Sequence, residues 1–223
     1  MSDVMILSAC RTPIGKFQGA LSSLTGPELG AIAIRAALVQ SGVSAGQVDE
    51  VIMGNVLGAG VGQAPARQAA IRAGLPHSVS ALTINKVCGS GLKAIMLAAQ
   101  AIRAGDADVI VAGGLESMSR APYLVDRTGP SLGDRKLIDS LQHEGLTCAL
   151  CDRSMGLIAD SLAASAGISR QDQDSFAFES HQRAIAAMQA GRFGHEIVPI
   201  TMTQRGKEIT IAQDEGPRSD ASI

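Results

Sequence analysis

Strand-like and helix-like segments alternate along the first half of this chain of 223 residues. Short apolar runs predict strands, whereas longer segments with helical periodicity that are closed by glycine predict helices. Strands are expected at residues 4–8, 48–56, 80–87 and 109–112, and helices at residues 26–41, 63–72 and 89–104. This alternation predicts an α/β domain with a largely parallel sheet.

The second half of the chain has a different character. After Gly113 and Gly114, a polar stretch without sustained periodicity continues to residue 154 and predicts an inserted loop region. Two helices are expected next, followed by a hairpin about Arg205 and Gly206. The expected ranges are 155–166 and 170–190 for the helices, and 197–203 and 208–212 for the hairpin strands. We therefore expect an α/β domain over residues 1–114 and an inserted loop or substrate domain over residues 115–223.

The predicted helix at residues 89–104 is apolar over most of its circumference. Between Leu92 and Ile102 only Lys93 and Gln100 are polar. A helix that is apolar all round is buried on opposite faces, but one sheet covers only one flank. We expect a layer from outside this chain on the other flank, the alternative being cover by the chain's own loops.

Charge and hydropathy exclude two classes of partner. A formal net charge of -2 gives no basis for binding nucleic acid, which requires clustered positive charge. The apolar runs are far shorter than the roughly 20 residues that span a bilayer. Because the first residues lack a basic leader followed by an apolar stretch, we expect a cytoplasmic protein.

Four cysteines in a chain without a secretion signal are expected to be thiols rather than a disulfide framework. Cys148 and Cys151 have the spacing of half a zinc site, but no second pair of Cys or His has matching spacing. Metal binding and redox pairing are the alternatives for these two thiols. The favoured interpretation is two incidental loop thiols and no metal site.

Cys88 lies where a predicted strand ends and the apolar helix begins. The unpaired N–H groups and the positive end of the helix dipole favour a thiolate at such a position. Gly89 and Gly91 leave the backbone open to a substrate because neither carries a side chain. These features favour covalent catalysis. A buried cysteine that acts as a small hydrophobe is the alternative, and spacing alone leaves both open.

Five segments, in register from about residue 4 to residue 218, resemble motifs of the thiolase family. They are Val87 to Ala94 (Val-Cys-Gly-Ser-Gly-Leu-Lys-Ala), Ser8 to Phe17, Gly113 to Ser119, Ser154 to Gly156, and Gly191 to Pro199. The first is similar to the family's nucleophile motif. The resemblance implies a thiolase-like N-terminal half, with a mixed, largely parallel sheet, helices on both faces and an inserted loop domain. The resemblance further implies that the C-terminal half of the family's chain is missing from this sequence.

The resemblance also implies a reaction, namely acyl transfer between acyl-CoA thioesters through an acyl-cysteine. In the short-chain acetyl-CoA acetyltransferases of the family, this condenses two acetyl-CoA molecules to acetoacetyl-CoA or reverses that step. Cys88 would be the nucleophile, and its backbone N–H would contribute to an oxyanion hole. Leu146 and Met155 match positions that contact the pantetheine and acyl group, and Arg218 matches one near the nucleotide. Coenzyme A would be a substrate or product, with no permanently bound cofactor.

The sequence departs from the family pattern in its catalytic set. The family's activating histidine and second cysteine belong to the missing half, and His77, His143, His181 and His195 are not in a similar motif. Ser154 also replaces the histidine that usually precedes the methionine. We therefore expect incomplete catalysis by this chain alone, and a homo-oligomer or a separate C-terminal half as partner. A non-catalytic CoA-binding or structural subunit is the alternative. A ketoacyl synthase would share the fold but not the sequence Val-Cys-Gly-Ser-Gly around the nucleophile.

Overall fold

The computed structural model describes residues 3–129, 131–204 and 206–223. Its centre is a parallel sheet of three strands in the order β2-β1-β3. The strands are β1 (Glu50–Gly54), β2 (Ser80–Ile84) and β3 (Ile110–Gly114), and the helices around them are α1 (Gly26–Ser41), α2 (Pro65–Ala73) and α3 (Ser90–Ala104). In the central register, Ile52 pairs with both Leu82 and Ala112. The α/β class and the largely parallel sheet predicted from the sequence are confirmed.

Helices cover both faces of this sheet because alternate residues of β1 point to opposite sides. Val51 and Met53 belong to a buried cluster with residues of α1 and α2. Ile52, between them, packs instead with Ala94 and Ala98 of α3. Burial on both faces explains why β1 is apolar without polar alternation.

The outer flank of α3 is largely exposed in the part of the chain that the structure describes. Ala94 and Ala98 face the sheet and are buried, whereas Leu92, Ile95 and Met96 are 68%, 45% and 50% exposed. The sequence predicted that one sheet would cover only one flank, and the described residues confirm it. The alternative, in which the chain's own loops cover the helix, is wrong.

The strand expected at residues 4–8 is not formed. The segment contributes to no ladder, and Met5, Ile6 and Leu7 are 72%, 79% and 61% exposed. Its apolar pattern is that of a strand, but a strand requires a neighbour whose backbone completes the hydrogen-bonded ladder. Among the described residues, backbone pairing begins with a bridge between Arg11 and Ile197.

The chain beyond Leu115 has little core of its own. Among its described residues, only Ser140 and Ile200 are buried. The expected loop region contains short strands and helical turns, and the two expected helices and the hairpin are present, although Arg205 of the predicted turn lies outside the described residues. The elements are β4 (Tyr123–Val125), β5 (Leu137–Asp139), one turn of π-helix (Leu141–Leu146), β6 (Thr147–Cys148), β7 (Arg153–Ser154), α4 (Met155–Ser165), α5 (Arg170–Gln189), β8 (Ile200–Gln204) and β9 (Lys207–Ile211). A domain boundary at residues 114 and 115 stays a prediction.

An ion-pair cluster ties the end of the chain to its beginning. Arg11 donates to both carboxylate oxygens of Asp214, at 2.7 and 3.0 Å, and to Glu196 at 2.7 Å. Glu215 accepts hydrogen bonds from the backbone N–H groups of Lys16 and Ala20. The C-terminal segment is thereby held against the loop that precedes α1.

Within the part of the chain that the structure describes, none of the helices combines the length and the apolar character needed to cross a bilayer. The cytoplasmic location expected from the sequence stays a prediction.

Candidate active site

A tight turn carries Cys88 from the end of β2 to the start of α3. The side chain of Asn85 accepts a hydrogen bond from the Val87 N–H at 2.9 Å and donates to the Val56 carbonyl at 3.4 Å. The Gly89 N–H donates to the Lys86 carbonyl at 3.1 Å. The turn is therefore anchored both to itself and to the loop that follows β1.

Ser90, two residues after Cys88, fixes the backbone just before it. Its buried hydroxyl accepts from the Lys86 N–H at 2.8 Å and donates to the Val87 carbonyl at 2.6 Å. A buried hydroxyl that both donates and accepts gains two partners without leaving an unpaired group. Sequence reasoning assigned Ser90 no role, although a serine at the first position of an apolar helix was a usable signal.

Val87, directly before Cys88, has a left-handed backbone conformation with φ of 48°. For a β-branched residue this region is strongly disfavoured, at a cost of about 1–2 kcal/mol. Such strain persists only where the surrounding structure enforces it, and it is concentrated at functional sites. Here the hydrogen bonds of Ser90 and Asn85 enforce it.

The start of α3 lies almost in contact with the end of β1. A Cβ atom added to Gly54 would lie 2.5 Å from the Cβ of Ser90 and 2.8 Å from the backbone nitrogen of Gly91. No side chain can occupy that space, so glycine at the end of β1 is what lets the helix approach. By contrast, a Cβ on Gly91 would meet its nearest neighbour at 3.8 Å. The close approach is at Gly54, where the sequence analysis did not place it.

The thiol of Cys88 is exposed, as a nucleophile must be. In this chain without a partner, Cys88 is therefore not the buried small hydrophobe that the sequence left as the alternative. The N–H groups of Gly89 and Ser90, which follow it, already donate to the carbonyls of Lys86 and Val87. These two groups are therefore not available to stabilise a thiolate or an oxyanion.

A half-buried carboxylate supports the turn from the other side. Glu116 accepts hydrogen bonds from Asn55 at 2.8 Å and from the Val56 N–H at 2.7 Å. Burial raises the pKa of Glu116, and the hydrogen bonds from Val56 and Leu57 oppose that rise. Since Val56 in turn accepts from Asn85, the contacts continue to the turn of Cys88. The sequence analysis missed Glu116, an acidic residue just after the carboxyl end of β3.

The structure brings two of the three expected CoA contacts together. Leu146 and Met155 flank the β6–β7 hairpin, in which Thr147 pairs with Ser154. Both are partly exposed, at 37% and 42%. Their positions at the open end of one hairpin are compatible with a shared apolar ligand. Their role stays a prediction.

Arg218 lies elsewhere, beside α5. Its backbone N–H donates to Nδ1 of His181 at 3.1 Å. It lines an open cavity of about 490 Å³ together with Arg170, Phe178 and Ser222. Neither Cys88, Leu146 nor Met155 lines this cavity. The described residues therefore do not join Arg218 to the other expected site residues in one pocket.

His77, His143 and His195 are exposed, and His181 is half-buried. Within residues 3–129, 131–204 and 206–223, no group of three or more His, Cys, Asp or Glu side chains is arranged to hold a metal ion.

Comparison with known proteins identifies the family. The model of the thiolase N-terminal domain matches residues 4–223. The chain is 55% identical over 226 residues to an acetyl-CoA acetyltransferase of Pseudomonas aeruginosa, covering 100% of this chain and 58% of that protein. It is 54% identical over 224 residues to a probable acetyl-CoA acetyltransferase of Escherichia coli, covering 100% of this chain and 57% of that protein. A probable acetyl-CoA acyltransferase of Staphylococcus aureus is 46% identical, with 100% and 58% coverage.

The chain thus spans between one half and two thirds of the length of these curated relatives, as the shares of 57% and 58% show. The match extends over nearly every residue of the chain, and it includes the turn of Cys88 and both flanks of the β6–β7 hairpin. This chain belongs to the thiolase family, and what it contains is the family's N-terminal domain.

Proposed function

We propose that this chain supplies the acyl-carrying nucleophile of a short-chain acetyl-CoA acetyltransferase. The Sγ of Cys88 attacks the carbonyl carbon of an acyl-CoA thioester, and coenzyme A leaves as its thiolate, giving an acyl-cysteine. The acyl group then passes to the α-carbon of a second acyl-CoA, or to free CoA in the reverse direction. The single observation that carries the proposal is the exposed Cys88 thiol at a strained turn that Ser90 locks to the start of α3.

Substrate contacts complete the proposal. The backbone N–H of Cys88 contributes to an oxyanion hole for the carbonyl oxygen of its own acyl group. Leu146 and Met155 contact the pantetheine and acyl end, which their partial exposure at one end of the hairpin supports. Arg218 attracts the phosphates of the nucleotide from the rim of the cavity beside α5, which is wide enough for a polar group. Coenzyme A is a substrate, and no permanent cofactor takes part.

We further propose that a C-terminal half, in the same polypeptide or as a separate chain, completes the site. Two apolar surfaces support this: the outer flank of α3, with Leu92 and Met96 half-exposed or more, and the unpaired segment at residues 4–8. The apolar side chains of both surfaces are largely exposed among the described residues, and both surfaces have the pattern of buried elements. The proton acceptor for the attacking α-carbon would come from that half, and copies of the completed unit would form a homo-oligomer.

Mass spectrometry after incubation with acetyl-CoA tests the nucleophile. Trypsin releases residues 87–93 as one peptide, because Lys86 and Lys93 bound it. We expect an acetyl group on this peptide in the parent chain and in Cys10→Ser, and none in Cys88→Ser. An unlabelled peptide in a chain that still binds CoA would contradict the proposal and would favour a non-catalytic CoA-binding subunit.

Reconstitution tests the reaction. The part of the Pseudomonas aeruginosa relative that this chain does not cover is supplied as a separate polypeptide, and acetoacetyl-CoA thiolysis is measured. We expect a rate that needs both polypeptides and that falls by at least about 10³-fold in Cys88→Ser, since the nucleophile is removed. A complex that forms without any gain in rate, or a rate unaffected by Cys88→Ser, would reject the acetyltransferase proposal.

A further inference from the structure

Two further cysteines, Cys148 and Cys151, lie in the β6–β7 hairpin. Cys148 is the last residue of β6, and Cys151 follows three residues later within the turn over residues 149–152. The Asp152 N–H closes this turn by donating to the Cys148 carbonyl at 2.8 Å. Cys148 and Cys151 are three residues apart within this closed five-residue turn, and their side chains share a hydrogen bond. The turn thus holds the two sulfur atoms next to each other, as a disulfide requires.

The two thiols are accessible and electronically unequal. Cys151 is exposed, Cys148 is half-buried, and both are free. Hydrogen bonding from the Leu150 N–H, followed by the Cys151 side chain, lowers the pKa of Cys148. The Cys148 thiol is the main cause of a raised pKa at Cys151. The Leu150 N–H that donates to the Cys148 sulfur stabilises a thiolate there, and the exposed Cys151 thiol lies beside it.

We propose that the β6–β7 hairpin is a thiol–disulfide exchange site, in which Cys148 is the attacking thiol and Cys151 the resolving thiol. The oxidant is a low-molecular-weight disulfide. The Cys148 thiolate attacks one of its sulfur atoms, forming a mixed disulfide and expelling the first small thiolate. Cys151 then loses its proton to solvent and attacks the Cys148 sulfur, expelling the second small thiolate. The two cysteines together lose two electrons, and the small disulfide is reduced to two thiols.

A disulfide between Cys148 and Cys151 would restrain the hairpin that joins two of the proposed substrate contacts. The hairpin has the partly exposed Leu146 before it and Met155 after it, and Ser154 of β7 caps α4 by accepting from the Leu157 N–H. A cross-link between Cys148 and Cys151 closes the turn covalently and restricts the two short strands. The exchange site goes beyond the proposed acyl transfer and does not depend on it, because neither Cys148 nor Cys151 has a role in that reaction.

A third thiol of the chain, that of Cys10, is expected to react slowly and can be compared with Cys148 and Cys151. Cys10 is half-buried, it lies 3.1 Å from Oε1 of Gln40, and burial raises its pKa. A thiol of that kind reacts slowly with disulfides at neutral pH because little thiolate is present. Cys10 therefore serves as the internal reference for the rates at Cys148 and Cys151.

Oxidised glutathione is the probe, used at pH 7 and stopped at intervals with N-ethylmaleimide. Trypsin releases residues 137–153 as one peptide that contains both cysteines, separate from the peptide of Cys88. In the parent chain we expect this peptide to lose two hydrogens and to take no maleimide. In Cys151→Ser it should retain one glutathionyl group on Cys148. In Cys148→Ser, glutathionylation of Cys151 should be at least about threefold slower.

The outcomes separate this site from the acyl-transfer site. Two glutathionyl groups on the parent peptide, equal rates in the two serine variants, or a rate at Cys148 no higher than that at Cys10 would each overturn the proposal. Cys88→Ser should leave the disulfide at Cys148 and Cys151 unchanged, and a loss of it would assign the attack to Cys88 instead. A failure of acetyl labelling at Cys88 has no bearing on any of these results.

Discussion

The turn that holds Cys88 and the hairpin that joins Leu146 to Met155 position their residues by different means. The first lies on the sheet, where Val51 of β1 is fully buried and Ser90 is 4% exposed. The second consists of two-residue strands around a turn in which Leu150 is 97% exposed. The core of this chain therefore fixes the expected nucleophile, whereas short-range hydrogen bonds hold the expected substrate contacts. Matched substitutions in the two regions can test that difference.

The largest effect is expected at the contact between the sheet and α3. In Gly54→Ala, the new Cβ would lie 2.5 Å from the Cβ of Ser90 and 2.7 Å from its backbone carbon. Since a packed helix start cannot move without disturbing the core, we expect a loss of about 3 kcal/mol or more in the free energy of unfolding. Urea denaturation followed by circular dichroism measures it.

Gly156→Ala is the matched control in the hairpin region. Gly156 lies in the first turn of α4, and a Cβ there would meet nothing within 4 Å. Because alanine has the higher helix propensity, this variant should be unchanged or more stable by up to about 1 kcal/mol. Equal losses at Gly54 and Gly156 would contradict the view that only the first region is fixed by the core.

The next largest loss of stability is expected from removing the serine hydroxyls that hold the backbone of the two regions in place. Ser90→Ala removes the buried hydroxyl that accepts a hydrogen bond from the Lys86 N–H. The loss of this acceptor should lower the free energy of unfolding by about 2 kcal/mol. We also expect the rate of alkylation of Cys88 by iodoacetamide to change, because the turn before it is released. Measurement combines thermal denaturation with the kinetics of labelling of residues 87–93.

The counterpart is Ser154→Ala, which removes the cap of α4, where the hydroxyl accepts from the Leu157 N–H at 3.3 Å. Loss of a helix cap typically costs about 1 kcal/mol. Labelling of Cys88 should stay at the parent rate in this variant. A change in labelling as large as that of Ser90→Ala would show that the two regions are coupled.

Substitution of two aspartates tests how much two ion pairs contribute to the stability of the fold. Asp214 is 11% exposed at its side chain and binds Arg11 with both oxygens, whereas Asp174 pairs with Arg170, which is 81% exposed. Asp214→Asn removes one charge from a largely buried pair, and we expect a loss of about 1.5 kcal/mol. Asp174→Asn should lose markedly less, because an exposed pair on one helix is screened by solvent.

The effect of Asp214→Asn should depend on pH. The hydrogen bond from Arg11 holds the pKa of Asp214 below its ordinary value. A carboxylate with a lowered pKa in the folded state stabilises the protein above the pKa of the unfolded chain, about 4 for Asp. That stability is lost as the pH falls through the lowered value. The difference in melting temperature between parent and variant should therefore be full at pH 7 and decrease below about pH 4.

The sequence predicted the alternating elements and the position of Cys88 because both depend on local patterns. Helix ends at Gly42, Gly74 and Gly105 and the buried strand β1 can be identified from such patterns alone. The strand expected at residues 4–8 failed because pairing is a property of two segments. Glu116 and Gly54 were missed for the same reason, since their roles depend on which loop ends meet at the edge of the sheet.

The smallest effect is expected from relieving backbone strain. Val87 and Asp152 have nearly the same left-handed φ, 48° and 51°, one before Cys88 and the other in the hairpin turn. Glycine tolerates this conformation, but it also increases the entropy of the unfolded chain. Valine is strained there by about 1–2 kcal/mol, whereas aspartate tolerates it better. Val87→Gly should therefore stabilise the fold by up to about 1 kcal/mol, and Asp152→Gly should be neutral or destabilising. Thermal denaturation decides between them, and a greater gain at Asp152 would show that the strain is not specific to the turn of Cys88.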